Sequence, residues 1–102
     1  MKGVIIIKVI TLCGSLKYQS EMMIVAENLS LKGNCVLTPV FFASATNNLT
    51  KSELKSLKAA HLKRIELSDA IYVVNKDKYI GNSTKKEIEY AKSLNKEIIY
   101  MK

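Results

Sequence analysis

The short apolar runs of this chain do not alternate, and that limits the folds open to it. Val4 to Leu12 is β-branched and apolar almost throughout, and Ala70 to Val74 is apolar without a break. A strand with one wet face alternates polar and apolar residues, whereas a strand covered on both faces does not, and such strands belong to parallel sheets flanked by helices. The stretches between the runs carry the other period. Met22, Val25, Ala26 and Leu29 recur at helical spacing, predicting a helix from about Tyr18 to Leu31 with Gly33 as its stop. Cys35 to Thr38 is a short second strand closed by Pro39. Thr50-Lys51-Ser52-Glu53 has capping-box spacing and opens a helix to about Leu67, with Leu54, Leu57, His61 and Ile65 on one stripe. After the Ala70 to Val74 strand comes a loop, Asn75 to Ser83, then a helix from Thr84 to Leu94 and a last strand from Ile98 to Met101.

The order is βαβαβαβ. Strands alternating with amphipathic helices predict an α/β domain with a doubly wound parallel sheet. Right-handed crossovers leave few arrangements, and a flavodoxin-like order 2-1-3-4 with helices on both faces fits. At 102 residues the chain is one domain, 1–102, and so small a core makes self-association a reasonable expectation.

Lysine dominates the charge. The 16 basic residues against 9 acidic ones give a net charge of +7, spread along the chain. This reads either as a solvated surface or as affinity for an anion such as a nucleotide phosphate. No basic run is interleaved with aromatics, which argues against nucleic acid. No segment reaches the ~20 apolar residues of a membrane span. Lys8 interrupts the first run and no small-residue cleavage site follows, so a secretory signal is not expected. Cys13 and Cys35 lie in apolar runs without a CxxC or a Cys/His cluster in sequence. They read as buried, reduced thiols of a cytoplasmic protein, with no metal site expected.

In a sheet of this kind ligands bind beyond the carboxyl ends of the strands, near the switch between strands 1 and 3. Three segments should meet there. Gly14-Ser15-Leu16-Lys17 offers a close backbone approach, helix N–H groups and a cation, a pattern suited to phosphate but equally a plain way to start a helix. The loop after Pro39, with Phe41 to Asn48 lacking any period, reads as a loop, with a mobile lid as one reading. The third segment is Gly81-x-Ser83-Thr84-x-x-Glu87. Glu87 falls on the apolar arc made by Ile88, Tyr90, Ala91 and Leu94, away from Lys85, Lys86, Glu89 and Lys92. It is either a functional acid or the partner of a Thr84 N-cap, since the spacing is that of a capping box. His61 interrupts an apolar stripe, as a satisfied core histidine or as a group titrating near neutrality. Tyr72, Tyr90 and Tyr100 read as core or rim, while Tyr79 lies in the site loop, placed to stack on a base. Asp69 is expected to hold the turn at the far end of strand 3.

Taken together, Ile10-Thr11-Leu12-Cys13-Gly14-Ser15, the stretch from His61 to Ala70, Tyr79-Ile80-Gly81-Asn82-Ser83-Thr84 and Glu87-Ile88-Glu89-Tyr90-Ala91 resemble the nucleoside 2-deoxyribosyltransferase superfamily, which includes the deoxynucleoside 5′-monophosphate N-glycosidases. The resemblance runs over nearly the whole chain. It implies a small-molecule nucleoside or nucleotide partner, no cofactor, and cleavage or transfer of the N-glycosidic bond with Glu87 as the carboxylate at C1′. It implies that Gly14, Ser15 and Lys17 hold the sugar or 5′-phosphate end, and that the chain forms homodimers or higher homo-oligomers. Two positions depart from the pattern. His61 stands where the family usually has an aspartate, and Gly81 where transferases carry a carboxylate and hydrolases a phosphate-contacting serine, with Ser83 able to supply a hydroxyl two residues on. His61 reads as a general acid or orienting group. The alternative is a catalytically inactive nucleotide-binding or sensor module of the same fold.

Overall fold

The computed structural model describes residues 5–43 and 48–101. Its strands are β1 (Val9–Cys13), β2 (Cys35–Leu37), β3 (Ala70–Val73) and β4 (Glu97–Tyr100). They form one parallel sheet in the order β2-β1-β3-β4, the expected arrangement. The main helices are α1 (Gln19–Leu31), α2 (Lys51–Glu66) and α3 (Asn82–Ser93), with single 3-10 turns at Leu16–Tyr18 and Lys76–Lys78. None of the described helices is long and apolar enough to cross a membrane.

The missing alternation has its predicted cause. Leu12 and Val74 pack with Met22 of α1 on one face of the sheet. Cys13, Ile71 and Val73 pack with Ile65 of α2 and with Ile88 and Ala91 of α3 on the other. The reversal of strand order at β1 puts the first crossover helix on one face and the next two on the opposite one. Gly33 stops α1 at φ +97, and Thr50 and Glu53 form both bonds of a capping box on α2. At the amino ends of the strands the Asp69 carboxylate accepts from the Val9 N–H at 2.8 Å, so Asp69 does hold the turn away from the site.

Buried hydroxyls fix α2 against β1. The Thr11 and Ser68 hydroxyls are within hydrogen-bond reach of each other and of the Arg64 carbonyl oxygen, at 3.0 and 2.7 Å from it; with one proton each, one donates to the carbonyl and the other to the carbonyl or to its neighbour. This sets the rotation of α2, and with it the direction of His61 one turn earlier.

Three expectations need correction. Among the described residues the first strand begins only at Val9, and Ile5 and Ile6 are 85% and 88% exposed; the expected start at Val4 lies outside the described residues. Its neighbours start only at Cys35 and Ala70: the Lys8 carbonyl still accepts from the Cys35 N–H at 2.9 Å, and residues 5–7 lie beyond both neighbouring strands. Cys35 is exposed, because it opens the edge strand β2. Finally, α3 starts two residues early, with Gly81 as N-cap and no side-chain cap bond. Thr84 is therefore buried inside the first turn, and Glu87 lies in the second turn, where it caps nothing. The lid expectation for Phe41 to Asn48 falls partly on residues 44–47, outside the described residues.

Candidate active site

A cavity of about 460 Å³ opens at the carboxyl ends of β1 and β3. The turn after β1 supplies Gly14 and Ser15, the segment after β2 supplies Pro39, Val40 and Phe42, α2 supplies His61 and Arg64, and the start of α3 supplies Gly81 to Thr84 and Glu87. The three segments singled out in the sequence thus converge, at the switch point where a doubly wound sheet binds ligands.

At the floor stand His61 and Glu87, with Cys13 fully buried directly behind them. His61 Nε2 is 3.6 Å from Cys13 Sγ and 3.7 Å from Glu87 Oε1. The first distance suits a hydrogen bond to sulfur, while the second is too long for a direct N–H···O bond. On the other side of the ring Arg64 Nη1 lies 3.2 Å from Nδ1. A guanidinium can only donate, so Nδ1 must accept and the imidazole proton sits on Nε2, facing Cys13. Cys13 Sγ also lies within 4.8 Å of a Glu87 carboxylate oxygen. The result is a chain of donors, Arg64 to His61 to Cys13, with the Glu87 carboxylate beside it.

Burial sets the charges of this group. His61 is pushed down to about 4 by burial and then by the Arg64 charge, so it is neutral at pH 7. Burial raises Glu87 to about 7, opposed only by the nearby Cys13 thiol. Cys13 is fully buried, and burial followed by the nearby Glu87 charge pushes its thiol well above the ordinary value. Glu87 keeps 21% side-chain exposure against 8% for His61, so the carboxylate is the member that meets the cavity most openly.

The other expected residues divide. Ser15 and Ser83 line the cavity, and Ser15 also accepts from the Lys17 N–H at the start of its 3-10 turn. Gly14 has a packing reason beyond its place in the lining: a Cβ there would lie 3.1 Å from the Val74 carbonyl oxygen and 3.4 Å from the Met22 sulfur. Gly81 leaves room for Tyr79, whose hydroxyl would meet a Cβ at 3.3 Å. Lys17 is not among the residues lining the cavity. Its ammonium sits over the Tyr79 ring, 3.5 Å from the centroid, and Tyr18 packs edge-on to the same ring at 6.1 Å. Asp77 and Lys78, both at positive φ, turn the chain sharply just before Tyr79. The first N–H of α3 bonded to the helix is that of Lys85, which reaches the Gly81 carbonyl, so the start of α3 presents free N–H groups beside Asn82 and Ser83.

Sequence reasoning missed Cys13 and Arg64 as members of the site. Cys13 ends β1, where strand residues reach a switch-point site, and Arg64 follows His61 by three residues, one helical turn. Those were the available signals.

This is a flavodoxin-like α/β domain with a half-buried acid at its switch point. Among solved structures it is similar to a 2-desoxiribosyltransferase from Leishmania mexicana, with a TM-score of 0.68 and 18% identity over 91% of this chain. The likeness covers 63% of that structure's chain, so the present chain spans less than two thirds of its length. At that identity the likeness shows a shared fold, the one the sequence resemblance implies. No family model and no curated protein matches the chain.

Proposed function

We propose that the domain cleaves or transfers the N-glycosidic bond of a 2′-deoxynucleoside or its 5′-monophosphate, with Glu87 as the carboxylate at C1′. The observation that carries this reading is Glu87 itself: a half-buried carboxylate, free of any capping role, at the floor of a switch-point cavity. In the reaction the C1′–N bond breaks and its electron pair leaves with the base. The Glu87 carboxylate stabilises the oxocarbenium-like sugar or bonds to C1′, and water or a second base then takes the sugar. Ser15, Ser83 and the free N–H groups of α3 suit the sugar or phosphate end. Tyr79 and the apolar wall of Pro39, Val40 and Phe42 suit the base. His61, neutral and tied to Arg64, orients Cys13 and Glu87 rather than supplying a proton. The similar fold of a 2-desoxiribosyltransferase is consistent with this substrate class.

The test is incubation with a panel of deoxynucleosides and deoxynucleotides, with and without an acceptor base, followed by chromatography. Free or exchanged base is expected from the native chain and none from Glu87→Gln. Equal release by both would overturn the role of Glu87.

One observation favours a second reading. With His61 held neutral, no second proton-active group of ordinary pKa stands beside Glu87 on the cavity floor, which suits a nucleotide-binding module without turnover. Calorimetric binding of deoxynucleotides with no free base after long incubation would select it. A homodimer, the expectation for so small a member of this fold, is tested by sedimentation.

A further inference from the structure

His61 and Glu87 on the cavity floor and Cys13 buried behind them have a second chemical capacity. Cys13 Sγ, His61 Nε2 and a Glu87 carboxylate oxygen all lie within 4.8 Å of one another. A tetrahedral zinc ion bonds sulfur at ~2.3 Å and nitrogen or oxygen at ~2.0–2.2 Å, which separates its ligands by roughly 3.3–3.6 Å. The observed separations of 3.6 Å (sulfur to nitrogen) and 3.7 Å (nitrogen to oxygen) are within a few tenths of an ångström of that. The ligands also stand on three separate, well-packed elements: the end of β1, α2 and α3. Two edges of the ligand triangle already fit, and the third, sulfur to carboxylate, is within 4.8 Å.

We propose that Cys13, His61 and Glu87 form a three-ligand site for a divalent transition metal of the zinc class, its fourth position facing the cavity. The donor set makes the choice of metal. A thiolate, an imidazole and a single carboxylate suit zinc or cobalt, whereas magnesium and calcium want oxygen ligands. Three protein ligands with one open position is the layout that lets an exogenous ligand join the metal. The ion would enter from the cavity past Glu87, the most exposed of the three.

Binding has a definite proton balance. The Cys13 thiol gives its proton to solvent, and Glu87 coordinates as the carboxylate. His61 must present its Nε2 lone pair, so the ring proton moves to Nδ1. Nδ1 then can no longer accept from Arg64, and the guanidinium must turn away. Arg64 lines the cavity, which gives it room to do so. Arg64 thus opposes the metal, and its removal should tighten binding. None of this depends on the glycosidic reading, though an ion held by Glu87 would also block that chemistry.

The experiment is a titration of the reduced, metal-free chain with Co²⁺, followed by Zn²⁺. One equivalent of cobalt should give an intense thiolate-to-metal charge-transfer absorption with tetrahedral d–d bands, and zinc should bleach both. Cys35→Ser should leave the spectrum unchanged, Cys13→Ser should abolish the charge-transfer absorption, and Arg64→Leu should lower the cobalt Kd. Glu87→Gln should raise the zinc Kd at least ~tenfold while keeping the native circular dichroism. The proposal is overturned if the native chain shows no charge-transfer absorption, or if the absorption depends on Cys35. Should Cys13→Ser fail to fold, an unchanged metal affinity in Glu87→Gln and His61→Gln overturns it equally. Base release is not measured, so failure here and failure of the enzymatic reading are separate results.

Discussion

Arg64 Nη1 lies 3.2 Å from Nδ1 of His61, one helical turn away, and this contact fixes which tautomer the imidazole adopts. A histidine beside a carboxylate usually charges and forms an ion pair, but here the guanidinium occupies the nitrogen that would take the second proton. Burial does most of the work of lowering the ring to about 4, and Arg64 adds to it. Arg64→Leu should therefore raise the His61 pKa, though not all the way to 6.5. The chain has a single histidine, so its ring resonances report the change without ambiguity in an NMR titration. An unmoved pKa would refute the contact.

The pH dependence of stability should show two opposed contributions. Folded Glu87, near 7 against an ordinary 4.5, keeps a proton across that window which the unfolded chain gives up, so its contribution is lost as pH rises from about 4.5 to 7. Folded His61, near 4 against 6.5, refuses a proton which the unfolded chain accepts, so stability falls as pH drops from about 6.5 to 4. Each shift corresponds to about 3 kcal/mol, and the two largely cancel where the windows overlap. Glu87→Gln should unmask a Tm that climbs between pH 4 and 6.5. His61→Gln should unmask one that declines between pH 4.5 and 7. Thermal melts at stepped pH check both slopes.

If Glu87 acts at C1′ as its carboxylate, kcat/KM for base release should rise with pH through about 7 and then level off, since that profile reports the free enzyme. A profile that falls through the same range would assign Glu87 an acid's role instead.

Lys17 offers a direct test of the phosphate. Its ammonium rests on the Tyr79 ring outside the cavity lining. If it leaves the ring to meet a 5′-phosphate, Lys17→Ala should raise KM for a deoxynucleotide roughly tenfold or more and leave the matching deoxynucleoside unchanged, a loss in line with one charge-assisted bond of ~1.5–3 kcal/mol. Equal effects on both substrates would confine Lys17 to holding Tyr79.

Gly14 should be intolerant of even one carbon. A Cβ would press on the Val74 carbonyl oxygen at 3.1 Å, and the backbone there cannot yield as a side chain would. Gly14→Ala is expected to cost ~1–3 kcal/mol in urea denaturation, the range of an overpacked core. Gly81→Ala faces the movable end of Tyr79 and should cost less.

The fold was legible because its signals are local or periodic. Unalternating runs marked β1 and β3, and Met22, Val25, Ala26 and Leu29 gave the buried side of α1. The site was legible only in part. The period put Glu87 on the correct arc, but Thr84-Lys85-Lys86-Glu87 imitated a capping box that does not form, because the helix starts at a glycine whose cap leaves no side-chain mark. The first apolar run misled at Ile5 and Ile6, where hydrophobicity alone suggested a strand and the lack of neighbours forbade one. The contact between Cys13 and His61 spans 48 positions. It depends on how Thr11 and Ser68 seat α2 on β1, which no short pattern records.

Strand order also carries a consequence in time. One of the two strands flanking β1, β3, lies some 60 residues further along the chain. At synthesis rates of ~5–20 residues per second, the Ile10 to Cys13 edge waits roughly 3–12 s for its second neighbour, and Glu87 emerges later still. A ribosome-bound intermediate therefore presents one raw, β-branched margin and no assembled reaction centre. That margin is the part of the chain most open to pairing with a second copy before the domain closes.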